Sequence, residues 1–128
     1  MVRLDVDSDI VVGALGKIRF SKGTYAYVGS AMNGWRARVD RHLRAEKKVR
    51  WHIDYLLERG EAMGYAVWTG KRRRECGVAR ALAERFEAVP KFGCSDCGCG
   101  SHLFHLGEQA DIEKLDIGTA APDIVLKL

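Results

Sequence analysis

Residues 22–50 read KGTYAYVGSAMNGWRARVDRHLRAEKKVR, and the fold is decided by how this stretch is interpreted. Tyr25-Ala26-Tyr27-Val28 is a short apolar run broken at Gly29-Ser30, as expected of a strand. Alternation puts Tyr25 and Tyr27 on one face and Ala26 and Val28 on the other. After Asn33-Gly34 the pattern changes to a helical one from about Trp35 to Lys47. Trp35, Val39 and Leu43 recur four apart and form the expected buried stripe. Arg38 and His42 are also four apart, so they make a second, polar row on the same rod. A tyrosine on the strand and an arginine–histidine pair on the next helix are thereby expected to face one cleft.

The charge around this stretch is unevenly placed. The net charge of +4 is modest, but residues 36–50 hold seven Lys and Arg, and Lys71-Arg72-Arg73-Arg74 add four in succession. These two stretches carry 11 of the chain's 21 basic residues, whereas the segment from Glu108 onward has five acids against two lysines. A polyanion is met by such a cluster, because phosphates are neutralised by concentrated Lys and Arg. Arg36, Arg41, Arg44, Lys47, Lys48, Arg72 and Arg73 are the expected nucleic-acid contacts. The plainer reading is a solvated helix face with ion pairs, since Asp40 lies four from both Arg36 and Arg44.

At 128 residues the chain is expected to be one domain with its own core. Its 47% hydrophobic and 30% charged residues fit a soluble globular protein. No apolar run approaches the roughly 20 residues that span a bilayer, and Asp5, Asp7 and Asp9 interrupt any signal-peptide pattern. A cytoplasmic protein with no membrane partner is the expectation. In a reducing cytosol, Cys94, Cys97 and Cys99 are too crowded for mutual disulfides.

Elsewhere, residues 2–6 and 10–12 read as strand pieces split by an Asp/Ser turn. Gly13 to Gly16 is a turn, and Lys17–Phe20 is a second strand. With the Tyr25–Val28 run, these short pieces predict a small antiparallel sheet of about three strands. A second helix is expected from about Trp51 to Arg59, stopped by Gly60, then an edge strand over Met63–Thr69. A third helix runs from Arg74 to Ala88, ended by Pro90. Phe92–Ser101 is a Gly/Cys-rich loop, and His102–Leu106 is a further strand. A short helix near Glu108–Leu115 and an apolar end at Ile124–Leu126 complete the chain. The class is α+β, a small sheet flanked by helices with an extra edge strand and a Cys-rich loop.

Among the acids, Glu75 stands out. Ala79, Leu82 and Phe86 continue backwards to it at helical spacing, so a carboxylate heads an apolar face where desolvation is costly without a partner. The alternative is a first-turn glutamate favoured by the helix dipole. On the second helix, Trp51, Tyr55 and the leucines read as core, and His52 as a local hydrogen-bonding or capping residue without a catalytic role. The Cys loop offers Cys94, Cys97, Cys99, His102 and His105, five zinc-type donors in 12 residues, with Cys76 as a distant partner. Zinc sites usually draw on two separated ligand pairs, so a loop packed by small thiols competes with a zinc set of Cys94, Cys97, Cys99 and His102.

Tyr27-Val28-Gly29-Ser30-Ala31, then Arg38 and His42, resembles the second half of the GIY-YIG nuclease signature. More closely, the chain resembles an uncharacterised GIY-YIG-like family of archaea and bacteria. The resemblance rests on Val12-Gly13-Ala14-Leu15-Gly16, Tyr25 to Ala31, Trp51-His52-Ile53-Asp54-Tyr55-Leu56, Glu75-Cys76, and Cys94-Ser95-Asp96-Cys97 through Ser101-His102-Leu103-Phe104. It implies a GIY-YIG-like fold and a divalent-metal-dependent endonuclease that hydrolyses DNA phosphodiesters. DNA repair is the implied setting, with branched or damaged DNA among the substrates and repair proteins among the partners. Tyr27 would orient or deprotonate the attacking water, Arg38 would hold the scissile phosphate, and Glu75 would bind Mg²⁺ or Mn²⁺. His42 and Tyr25 would touch phosphate or support Tyr27; for Tyr25, core packing is the preferred reading. The resemblance gives the cysteine run no metal role, which favours the packed loop, with Asp96 and His102 beside Tyr27. The signature's first tripeptide, glycine–aliphatic–tyrosine, would fall ahead of Met1, so its strand is expected to be shortened or absent. A DNA-binding module without catalysis is the alternative expectation, and a zinc-stabilised interaction domain a third.

Overall fold

The computed structural model of the chain describes residues 1–29, 34–44, 51–68, 75–93, 99–108 and 122–128. In chain order the elements are β1 (Val2–Leu4), β2 (Ser8–Val11), β3 (Lys17–Phe20), β4 (Gly23–Tyr27), α1 (Trp35–Leu43), α2 (His52–Leu57), β5 (Glu61–Ala62), β6 (Gly64–Val67), α3 (Glu75–Ala83), β7 (Glu87–Ala88), β8 (Leu103–Gly107) and β9 (Ile124–Lys127). The class is α+β, as expected. The main sheet, however, has five strands rather than about three, in the order β5-β1-β4-β8-β7.

The difference lies in pairing. β1 bonds directly to β4, with Val2 opposite Tyr25, while β2 and β3 form a separate hairpin. The strand expected at the sheet edge, β6, instead pairs with β9, Tyr65 opposite Leu126. An apolar chain end thus supplies the missing partner, because an unpaired strand leaves its N–H and C=O groups unsatisfied. The third helix stops at Ala83 rather than Ala88. Glu87 and Ala88 become β7 and extend the sheet along β8, in keeping with the extended backbone favoured close to Pro90. The first helix ends at Leu43, with Arg44 already extended, rather than near Lys47. The helix expected near Glu108–Leu115 lies, beyond Glu108, outside the described residues.

β4 and β8 lie at the centre, and their alternating side chains divide the core in two. Tyr25, Tyr27 and Leu103 face one cluster, built with Val2, Leu4, the hairpin residues Ile10, Val12 and Phe20, and α2 residues Ile53 and Leu56. Ala26, Val28 and Phe104 face the other, where α3 supplies Val78, Ala79 and Leu82, with Phe86 alongside. The expected α3 stripe is therefore the buried face of that helix. Each fully buried Leu or Phe contributes about 1.5–3 kcal/mol, so these two layers hold α2 and α3 firmly.

α1 is attached differently. None of its residues is fully buried, and Leu43, expected in the buried stripe, is 43% exposed. Trp35 reaches Tyr65 of β6, ring to ring at 6.1 Å. The face turned toward the molecule is the polar one, carrying Arg38, Arg41 and His42. The chain leaves the helix at Arg44 in an extended conformation.

Candidate functional site

Arg41, read from the sequence as a DNA contact, is an anchor. Its two terminal nitrogens donate to Asp54 Oδ1 and Oδ2, both at 2.9 Å, and Asp54 is completely buried. The same carboxylate accepts the backbone N–H of Trp51 at 2.8 Å and so closes the first turn of α2. The geometry is bidentate and charge-assisted, the strongest form of this contact. Arg41 and Arg38 also lie over the Trp51 indole, 3.9 and 4.0 Å from its centroid. Guanidinium faces stacked on an aromatic ring gain cation–π energy and hold a fixed plane. Trp51 packs against the core, as expected, and is also a platform for α1.

Arg38 is aimed by this platform. Its Nε donates to His42 Nε2 at 3.4 Å, a long contact, and its guanidinium lies beside the Tyr27 ring: a Cβ added at Gly29 would be 3.4 Å from both Arg38 Nη2 and Tyr27 Cε2. His42 lies between two aromatic rings, 6.2 Å from Tyr27 and 5.6 Å from Trp51. Burial pushes the Tyr27 phenol above its ordinary pKa; Arg38 opposes that rise, and the charges of Asp54 and Glu75 add to it. Glu75, half-buried in the first turn of α3, is therefore close enough to act electrostatically on Tyr27. Arg38 of α1 thus lies beside Tyr27 of β4, and the charge of Glu75 on α3 is felt at that phenol. Tyr25 does not join them: it is 2% exposed, donates its hydroxyl to Ser21 O at 2.6 Å, and packs edge-on to Phe20 and His105.

The sequence model of the family described as Domain of unknown function DUF123 matches residues 1–120. The chain belongs to the DUF123 family. Comparison with curated proteins and with solved structures finds no match.

In this DUF123 chain the loop after α3 presses on the candidate site. His52 Nδ1 accepts the backbone N–H of Gly93 at 2.8 Å, a contact across 41 positions rather than the local one expected. Gly93 has φ of +71°, and a Cβ there would lie 3.1 Å from Tyr27 Cε1. A glycine is required both by the left-handed backbone and by the approach to the ring. Of the expected DNA contacts, Arg36 and Arg44 are exposed on α1 and Arg41 is engaged by Asp54. Lys47, Lys48, Arg72 and Arg73 lie outside the described residues.

The expected zinc set is redrawn. Cys76, Cys99 and His102 bring one ligand atom each within 4.8 Å of one another, while Cys94 and Cys97 lie outside the described residues. Asp54, Trp51 and Gly93 are the contributors that sequence reading did not assign to the site. The available signal was slight: an acid three residues into α2, where carboxylates cap, and an α1 with too few apolar residues to build a buried face of its own.

Proposed function

We propose that this DUF123 chain is a divalent-metal-dependent phosphodiesterase acting on DNA, working in the manner of the GIY-YIG nucleases it resembles. The observation that carries the reading is Arg38, held over the Trp51 indole beside the Tyr27 ring, with the charge of Glu75 acting on that phenol. Phosphodiester hydrolysis needs an oriented water, a cation on the non-bridging oxygens and help for the leaving oxygen. Tyr27, Arg38 and Glu75 are of the residue types that supply these.

Glu75 is a half-buried oxygen donor in a first helical turn. Mg²⁺ commonly takes only one or two carboxylates and keeps waters and substrate phosphate for its other positions, so this residue fits it. Bound there, the cation would supply charge to the phosphate oxygens and acidify a coordinated water. The planar fork of Arg38, steadied by Trp51, is suited to gripping the scissile phosphate. Tyr27 is held protonated above its ordinary range, which suits it to orienting water through its hydroxyl rather than to removing a proton in the resting protein. Asp54 and Arg41 fix the helix on which Arg38 rides.

A second reading, a DNA-binding module without hydrolysis, draws on the exposed Arg36 and Arg44 of the basic segment. The two are separated by incubating purified protein and Mg²⁺ or Mn²⁺ with supercoiled, branched and damaged DNA. The enzyme reading expects cleavage that Glu75→Gln abolishes while DNA binding, followed by gel shift, persists. Binding without cleavage of any of these substrates establishes the module instead.

A further inference from the structure

Cys76 lies in the first turn of α3, Cys99 ends the cysteine loop, and His102 immediately precedes β8. Their thiol sulfurs and imidazole nitrogen fall within 4.8 Å of one another. Both cysteines are half-buried, and His102 is 3% exposed. We propose that Cys76, Cys99 and His102 bind a zinc ion that ties α3 to the loop and strand beside Tyr27.

Three arguments carry this. Zinc bonds of about 2.3 Å to sulfur and 2.0–2.1 Å to nitrogen place tetrahedral donors about 3.5–3.8 Å apart. The cluster is therefore within about 1 Å of closing on an ion, a movement available to side-chain rotation. Thiolate and imidazole donors select zinc over the hard, oxygen-seeking Mg²⁺. The donors also come from two separated parts of the chain, as zinc sites require. A loop supplying all its own ligands lacks that separation; adding Cys76 provides it.

The consequence for the candidate site rests on the phosphodiesterase reading. Cys76 adjoins Glu75. His102 donates its backbone N–H to Phe92 O at 2.8 Å and accepts that of Val28 at 2.9 Å. Its Cβ would lie 3.3 Å from a Cβ added at Gly93, the residue that abuts Tyr27. An ion shared by Cys76 and His102 would therefore fix the distance between the Glu75 carboxylate and the Tyr27 phenol.

The test is made on the full chain without DNA, so its outcome is independent of any cleavage activity. Protein purified without chelator is expected to carry about one zinc per chain by elemental analysis. After stripping, Co²⁺ is expected to give an intense near-ultraviolet thiolate-to-cobalt band with visible d–d bands, lost in Cys76→Ser and Cys99→Ser. In the wild-type chain, Zn²⁺ is expected to protect Cys76 and Cys99 from iodoacetamide, read by peptide mass spectrometry; this arm needs no variant to fold. Substoichiometric zinc with no cobalt band overturns the proposal, as does equal alkylation of both cysteines with and without Zn²⁺. A cobalt band kept in Cys76→Ser but lost in Cys94→Ser or Cys97→Ser also overturns it, returning the ligands to the loop alone.

Discussion

Asp54→Asn tests the anchoring of α1 most sharply. The carboxylate is fully buried and accepts hydrogen bonds from both terminal nitrogens of Arg41 and from the Trp51 backbone. Asparagine keeps an oxygen for the Trp51 N–H but removes the charge that compensates Arg41. Removing one partner of a buried ion pair costs about 3–5 kcal/mol. The Arg41 side chain retains 18% exposure and can be partly resolvated, which sets the expectation at the lower end, about 3 kcal/mol. For a chain of this length that corresponds to a fall in Tm of roughly 10 °C. Urea and thermal unfolding followed by circular dichroism measure the loss. Hydrogen exchange should show α1 amides opening before those of β4, since none of the α1 residues is fully buried. A loss under about 1 kcal/mol, with α1 exchange unchanged, would refute the claim that this pair holds the helix.

Other outcomes follow from neighbouring contacts. Gly93→Ala is expected to lose about 1–2 kcal/mol from its left-handed backbone alone and to shift the Tyr27 ring resonances. Gly100→Ala, with nothing within 4 Å of its added Cβ, should change neither. Leu82→Ala, emptying a 2% exposed position on α3, is expected to cost about 2–5 kcal/mol in denaturant unfolding. Burial, with Asp7 and Glu87 adding, pushes the Tyr25 phenol up from 10.0 to about 12. A raised folded-state value stabilises below the unfolded pKa, so its contribution is complete below pH 10 and lost as pH climbs to about 12. Stability titrated across that window should fall less steeply for Tyr25→Phe than for wild type.

Where local pattern and final packing agree, the sequence was readable. Alternation assigned Tyr25 and Tyr27 to one sheet face and Ala26 and Val28 to the other. The Ala79–Leu82–Phe86 spacing likewise gave the buried face of α3, because a long apolar period has one low-energy orientation. On α1 the same logic held for Trp35 and Val39, which are half-buried, and failed at Leu43. Three apolar residues over two turns are a weak stripe, and the indole of Trp51 with the carboxylate of Asp54 offered the arginines a better partnership than solvent. Both belong to the next helix, so no window confined to α1 contains the information. Pairing partners were hidden for the same reason: β9 completes β6 across some sixty positions, and β7 is two residues long. The proximity of Cys76 to Cys99 and His102 is likewise a product of how α3 crosses β8.

The central claim is that one cation and one phosphate meet Tyr27, Arg38 and Glu75 together. Crystals of the chain with Mn²⁺ and a short DNA duplex test it through the anomalous signal of the metal. The account predicts a peak about 2.1 Å from a Glu75 carboxylate oxygen, with a backbone phosphate bridging it to the Arg38 guanidinium beside Tyr27. Manganese bound away from Glu75, or DNA lying across a surface remote from Arg38 and Tyr27, would contradict it.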